Sequence, residues 1–191
     1  MQTYSRMSVP ALVGASVVAG LSFLAGCGSG SDDANAQTTR NQTVTPFIPQ
    51  SDVQYIDAIV PHHEHALEMA EMELAKGTRP EVKAIAQTIM DAQMQEITLL
   101  KNVRQALTGQ AEIPEPPTDP HMARDMMRME EATGANVDAE FLDGMIPHHA
   151  EGISIAHRAL PSIQRTDVRD NANMVVATQA RETGEMQALR R

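Results

Sequence analysis

Two Pro-His-His segments carry the chemistry of this sequence, Pro61-His62-His63 and Pro147-His148-His149. Each is followed by a carboxylate at the same distance, Glu96 after His63 and Glu182 after His149. Imidazole is a ligand for zinc, copper, iron and nickel, and a carboxylate adds affinity for zinc and iron. Methionines widen the choice. Met122, Met126, Met127 and Met129 crowd beside His121, and Met69, Met72, Met90 and Met94 follow the first His pair. Thioether with imidazole is a donor set that selects Cu(I). The same residues also admit plainer roles, His and Glu as a hydrogen-bonded layer that sets helix register, and Met as filler in a core short of aromatics.

The elements that position these groups follow from a shift. Displaced by 86 places, YIDAIVPHHEHALEMA (55–70) lies over FLDGMIPHHAEGISIA (141–156) without a gap, matching Asp57 with Asp143, the Pro-His-His triplets, and Ala70 with Ala156. The same offset pairs Leu74 with Leu160, Arg79 with Arg165, Val82 with Val168, Ala86 with Ala172, Gln93 with Gln179 and Glu96 with Glu182. One constant offset over such a length marks each copy as one structural unit. Ile56, Ile59, Val60, His63, Leu67, Ala70 and Leu74 recur at helical spacing, ending at Gly77 and Pro80. A second stripe runs through Val82, Ile85, Ile89, Ala92, Glu96, Leu99 and Val103 to Gly109. The second copy repeats the pattern from Leu142 to Leu160 and from Val168 to Leu189.

Each unit is therefore a helical hairpin, and two hairpins bury their apolar faces best as a four-helix bundle. The expected fold class is all-α, with hairpins over about 52–108 and 138–191 and a Met-rich connector, 109–137, that includes a short helix near 121–134. Pro61 and Pro147 either open a helix or kink one. On these stripes His63, His149, Glu96 and Glu182 face one interior, with His62 and His148 about 100° round the helix and reaching it from the edge. Buried carboxylates must be paired, bind a cation or line a wet cavity. The six are the candidate metal ligands; His121, Met122, Met126, Met127, Met129, Met69 and Met94 are auxiliary candidates. His65 and His157 break the repeat and read as surface residues or auxiliary ligands.

The N-terminus reads as an address. Arg6 precedes an apolar run from Val9 to Ala25, which is too short for a membrane span and ends in Leu24-Ala25-Gly26-Cys27. That ending resembles a bacterial lipobox, which implies removal of residues 1–26 and lipid on Cys27, the single cysteine. Two or more acyl chains anchor stably, at about 0.8 kcal/mol per buried CH₂. Residues 28–51 are small and polar and read as a disordered tether. The expected location is the outer face of a cell membrane or the periplasm. A formal net charge of −10 and a pI near 5.1 repel phosphate backbones, so nucleic acid is not an expected partner. The sequence is compatible with a homo-oligomer and points to no other protein partner.

Residues 52–191 resemble the CopM-like family, formerly labelled a domain of unknown function, within the ferritin-like superfamily. The resemblance rests on FLDGMIPHHAEGISIA, on YIDAIVPHHEHALEMA, on Gln93/Glu96 and Gln179/Glu182, and on the Met-rich HMARDMMRMEEATGANVDAEFL. It implies a ferritin-like four-helix bundle, export, copper binding, and ligands at His62, His63, His148 and His149 with nearby methionines. The chain departs from the family pattern at Ser154-Ile155, where Glu-Met is frequent and where the first copy has Glu68-Met69. The leading expectation is an exported, anchored, non-catalytic copper-binding or copper-buffering protein, with zinc or iron as other occupants. A ferritin-like metal-dependent oxidase is the alternative, disfavoured because di-iron bundles repeat Glu-x-x-His and no such motif falls on the buried stripes. A metal-free structural or interaction module is the third reading.

Overall fold

A computed structural model of the chain describes residues 47–114 and 120–190. Cys27, the expected export segment and the expected tether up to residue 46 lie outside them. Five helices follow one another: α1 (Asp52–Lys76), α2 (Pro80–Thr108), α3 (Pro120–Glu131), α4 (Ala135–Ala159) and α5 (Thr166–Leu189). Among the described residues there is no strand, and no helix is long and apolar enough to cross a membrane. The fold is an all-α, ferritin-like bundle of two helical hairpins. α1 packs on α2, α4 on α5, and the hairpins meet through α1 with α4 and α2 with α5; α3 lies against α4 and α1.

Local chemistry sets the ends. The Ser51 hydroxyl accepts from the Gln54 backbone N–H at 3.2 Å and caps α1, and Pro80 occupies the first turn of α2, where no helical N–H is needed. Gly109 closes α2 at φ 79°, a left-handed conformation that costs glycine little, while its N–H bonds the Gln105 carbonyl at 2.9 Å. Pro61 and Pro147 lie inside α1 and α4 rather than at their starts. Lacking an N–H, each leaves the carbonyl four residues back, on Asp57 and Asp143, without its helical donor.

The core is interrupted at its waist. One apolar cluster gathers Tyr55, Ile59, Leu100, Ala156 and Val175; a second gathers Met69, Ile89, Met129, Phe141, Met145 and Met186. Along every long helix the two clusters are separated by buried polar residues: His62 and His63 on α1, Gln93 and Glu96 on α2, His148 and His149 on α4, Gln179 and Glu182 on α5. Full burial of one large apolar side chain contributes about 1.5–3 kcal/mol, so the flanking clusters hold the layer shut.

Contacts between the hairpins are reciprocal. The N-caps of α2 and α5, Arg79 and Arg165, supply no capping side chain. The cap comes from the other hairpin: Asp138 accepts from the backbone N–H groups of Thr78 and Arg79 at 3.0 and 2.9 Å, and Asp52 accepts from those of Gln164 and Arg165 at 3.0 and 3.1 Å. Within the hairpins Arg104 reaches Asp57 at 2.6 Å and Arg190 reaches Asp143 at 2.5 Å. All these pairs recur at the 86-residue offset.

One buried carboxyl has no counterpart, because position 159 is Ala159 where the first hairpin has Glu73. Burial first, and then its hydrogen bond and charge interaction with Asp138, push Glu73 up to about 8 against the opposing charges of Lys83 and Arg79. Asp138 is held below its ordinary value: burial raises it, but hydrogen bonds from Thr78, Arg79 and Glu73 outweigh that. At neutral pH the folded state thus keeps a proton on Glu73 that the unfolded chain, with an ordinary value of 4.5, has released. Stability should fall as pH rises from 4.5 to about 8 and level off above it. In Glu73→Gln, which keeps the neutral donor, urea unfolding between pH 5 and 9 should lack that decline.

Candidate metal centre

Five histidines converge on the waist of the bundle. His62 is 2% exposed, His148 6%, and His63 and His149 fully buried. The His62 and His148 rings stack across the α1–α4 contact with centroids 3.7 Å apart and planes at 28°. His63 and His149 flank the stack, their centroids 6.1 Å from His62 and 6.4 Å from His148. His65 joins from α1, 5.2 Å from His148. His62 and His148 are therefore the middle of the cluster and not its edge, because the close α1–α4 approach turns their common face inward.

Hydrogen bonds assign the nitrogens. His62 Nε2 lies 3.1 Å from the His148 carbonyl oxygen, an acceptor only, so it donates and Nδ1 carries the lone pair. His149 Nε2 donates to Glu182 Oε2 at 2.9 Å, and both side chains are buried. His63 Nε2 lies 2.7 Å from Glu96 Oε2, close but outside hydrogen-bond alignment. In neutral rings His149 is likewise left with a bare Nδ1. The Nδ1 atoms of His62, His63 and His149 and both ring nitrogens of His148 are buried without a hydrogen-bond partner. Burial, reinforced by the neighbouring imidazoles, holds His62 and His148 well below the ordinary histidine value, so both are neutral at physiological pH. For His62 the bond to the His148 carbonyl opposes this.

These features fit an ion. Neutral imidazoles offer lone pairs, two carboxylates offer negative charge, and the unpartnered nitrogens are the groups whose burial an ion would compensate. The donors are not yet gathered: among the described residues no group of three or more His, Cys, Asp or Glu side chains surrounds one point as metal ligands. Face-to-face stacking explains why: the lone pair of a ring nitrogen lies in the ring plane, so those of His62 and His148 run side by side instead of converging on one point.

The auxiliary candidates are dispersed. Met69 and Met129 are fully buried in the second apolar cluster, and Met126 packs against it. Met122 is half-buried, while Met127 and Met94 are about half exposed, at 53% and 47%. His121 is exposed, with an Arg124 N–H directed at its Nδ1, and His157 is exposed on α4. Two groups escaped the stripe reading. Gln93 is buried where the spacing pointed to Ala92, and its offset partner Gln179 was the available signal. His65 is the other: its offset position holds Glu151, so the repeat gives no sign that it joins the cluster.

The chain matches the family described as "Domain of unknown function (DUF305)" over residues 29–104 and 52–190. It belongs to the DUF305 family. Its structure is similar to CopM in the Cu(II)-bound form, with 27% identity over 73% of this chain and 95% of that one and a TM-score of 0.66. CopM in the Cu(I)-bound form is similar at 26% identity, 73% and 94% coverage and a TM-score of 0.64. A DUF305 fragment from Deinococcus radiodurans shares the fold at 24% identity, 76% and 97% coverage and a TM-score of 0.64. No curated protein matches the chain. The ferritin-like bundle is thus the fold of this DUF305 chain, and the buried His–Glu pairs are the part of it with chemistry to spare.

Glu182→Ala should strand the His149 N–H and cost the metal-free protein about 1–3 kcal/mol. Glu96→Ala should cost less, since that side chain is 10% exposed and its contact is not aligned. Paired denaturant titrations measure the order.

Proposed function

We propose that this chain is an exported, membrane-anchored copper-binding protein that captures or buffers the ion at the waist of its bundle. The observation that carries the reading is the set of buried imidazole nitrogens without partners around the His62–His148 stack. His62, His63, His148 and His149 would hold copper, with Glu96 and Glu182 orienting His63 and His149 and offsetting the ion's charge. His65, Met69, Met122, Met126, Met127, Met129, Met94 and His121 are auxiliary candidates on the approach or in the second cluster. Likeness to CopM structures solved with Cu(II) and Cu(I) favours copper over zinc or iron. Loading requires the stacked rings to part so that their Nδ1 edges turn to a shared ion.

The role is storage or transfer rather than turnover, because the donors are mainly imidazoles and each carboxylate of the layer is already engaged with a histidine. The N-terminal segment supports the location. Lipid on Cys27 would hold the bundle at the outer face of a membrane, with residues 28–51 setting the distance.

A ligand that binds only the folded state raises its stability, by about 2.7 kcal/mol at a concentration 100 times Kd. Copper should therefore raise the melting temperature more than zinc or iron, and His62→Ala with His148→Ala should weaken copper affinity more than about tenfold. A chain whose melting is indifferent to all three metals would be a purely structural bundle. Cys27→Ser should move the protein from the membrane fraction to the soluble fraction in its host; equal partitioning of the two would remove the lipid anchor.

A further inference from the structure

We infer that Gln179 sets the oxidation-state preference of the buried centre, its amide oxygen favouring divalent over monovalent copper beside His62; this rests on the copper reading above. Gln179 is 2% exposed, and neither of its amide atoms has a hydrogen-bond partner. Burying an amide unpartnered is unfavourable, and this core has a ready apolar substitute of similar length, since Met69, Met129, Met145 and Met186 are all buried in its second cluster. Position 179, like its offset counterpart Gln93, departs from that habit in the layer where the imidazoles lie.

Glycine 152 shows where the amide points. A Cβ built on Gly152 would lie 2.3 Å from Gln179 Oε1 and 2.9 Å from His62 Cε1, so the amide oxygen and the imidazole edge both border the space that a side chain at 152 would fill. Cε1 joins the two ring nitrogens of His62: Nε2 is spent on the His148 carbonyl, and Nδ1 is the open one. The other half differs at one position. Ala66, fully buried, stands where the offset places Gly152, while Gln93, also 2% exposed with neither amide atom partnered, is the offset counterpart of Gln179. The two halves are thus unequal, with a glycine in one and an alanine in the other beside the layer, and the amide oxygen of Gln179 and the Cε1 edge of His62 border the same space at Gly152. An amide oxygen is a hard donor suited to a divalent ion, whereas a thioether at this place would suit Cu(I).

The test compares the full-length chain with Gln179→Met, Gln179→Glu and Gln93→Met, measuring Cu(II) and Ag(I) affinities by competition and the Cu(II) electron paramagnetic resonance spectrum. Silver serves as the monovalent probe. Gln179→Met should lower Cu(II) affinity about tenfold without lowering Ag(I) affinity. Gln179→Glu should keep the Cu(II) preference and alter the spectrum, and Gln93→Met should shift the ratio less. An unchanged Cu(II)-to-Ag(I) ratio in Gln179→Met, or an equal loss of both ions, overturns the inference. If Gln179→Met does not fold, Gln179→Glu decides: a fallen ratio or an unaltered spectrum overturns it. Failure of the wild-type chain to bind either ion is a different outcome and removes the copper reading itself.

Discussion

A layer of imidazole, carboxylate and amide groups buried between two apolar clusters is the constraint on which this bundle depends. Such a layer is unfavourable unless its members find partners, and the partners of its histidines come from other helices. Glu96 and Glu182 reach across their hairpins to His63 and His149, and His62 reaches from α1 to the backbone of α4. Sliding any helix by one turn would break these contacts and push charge into hydrocarbon. The layer therefore sets the register that apolar packing alone would leave loose. Its satisfaction is incomplete, and the incomplete part is the same set of nitrogens that could receive an ion.

The rest of the structure holds that layer in place. The two Arg–Asp pairs brace the ends of α2 and α5 against α1 and α4, and the Asp52 and Asp138 caps lock each interhelical turn to the opposite hairpin. Neutral Glu73 links one of these caps to the second apolar cluster. Its raised proton affinity comes first from burial and then from the neighbouring Asp138 carboxyl, and Asp138, with several donors around it, is the one that keeps the charge.

Much of this was legible in the residues. Helical spacing on both hairpins, the Pro-His-His triplets and the constant offset gave the all-α bundle, and the stripes placed His63, His149, Glu96 and Glu182 inside. Spacings of three and four leave the phase of a long stripe uncertain by one residue, which is why Leu100 and Gln93 are buried rather than Leu99 and Ala92. The centrality of His62 and His148 depends on how closely α1 approaches α4, a distance no single-helix pattern encodes. The cross-hairpin caps were hidden for a similar reason. Asp52 and Asp138 look like ordinary acidic residues of a first turn, and their acceptors serve backbone more than a hundred positions away in one case.

Those crossed caps also define the smallest piece that can stand alone. A solitary hairpin has an aspartate with nothing to cap and a helix start with nothing to cap it. Two identical copies of such a hairpin, placed face to face, would answer both needs at once. The covalent chain is in this sense a tethered pair, and breaking its connector should leave halves that seek each other rather than halves that fold independently.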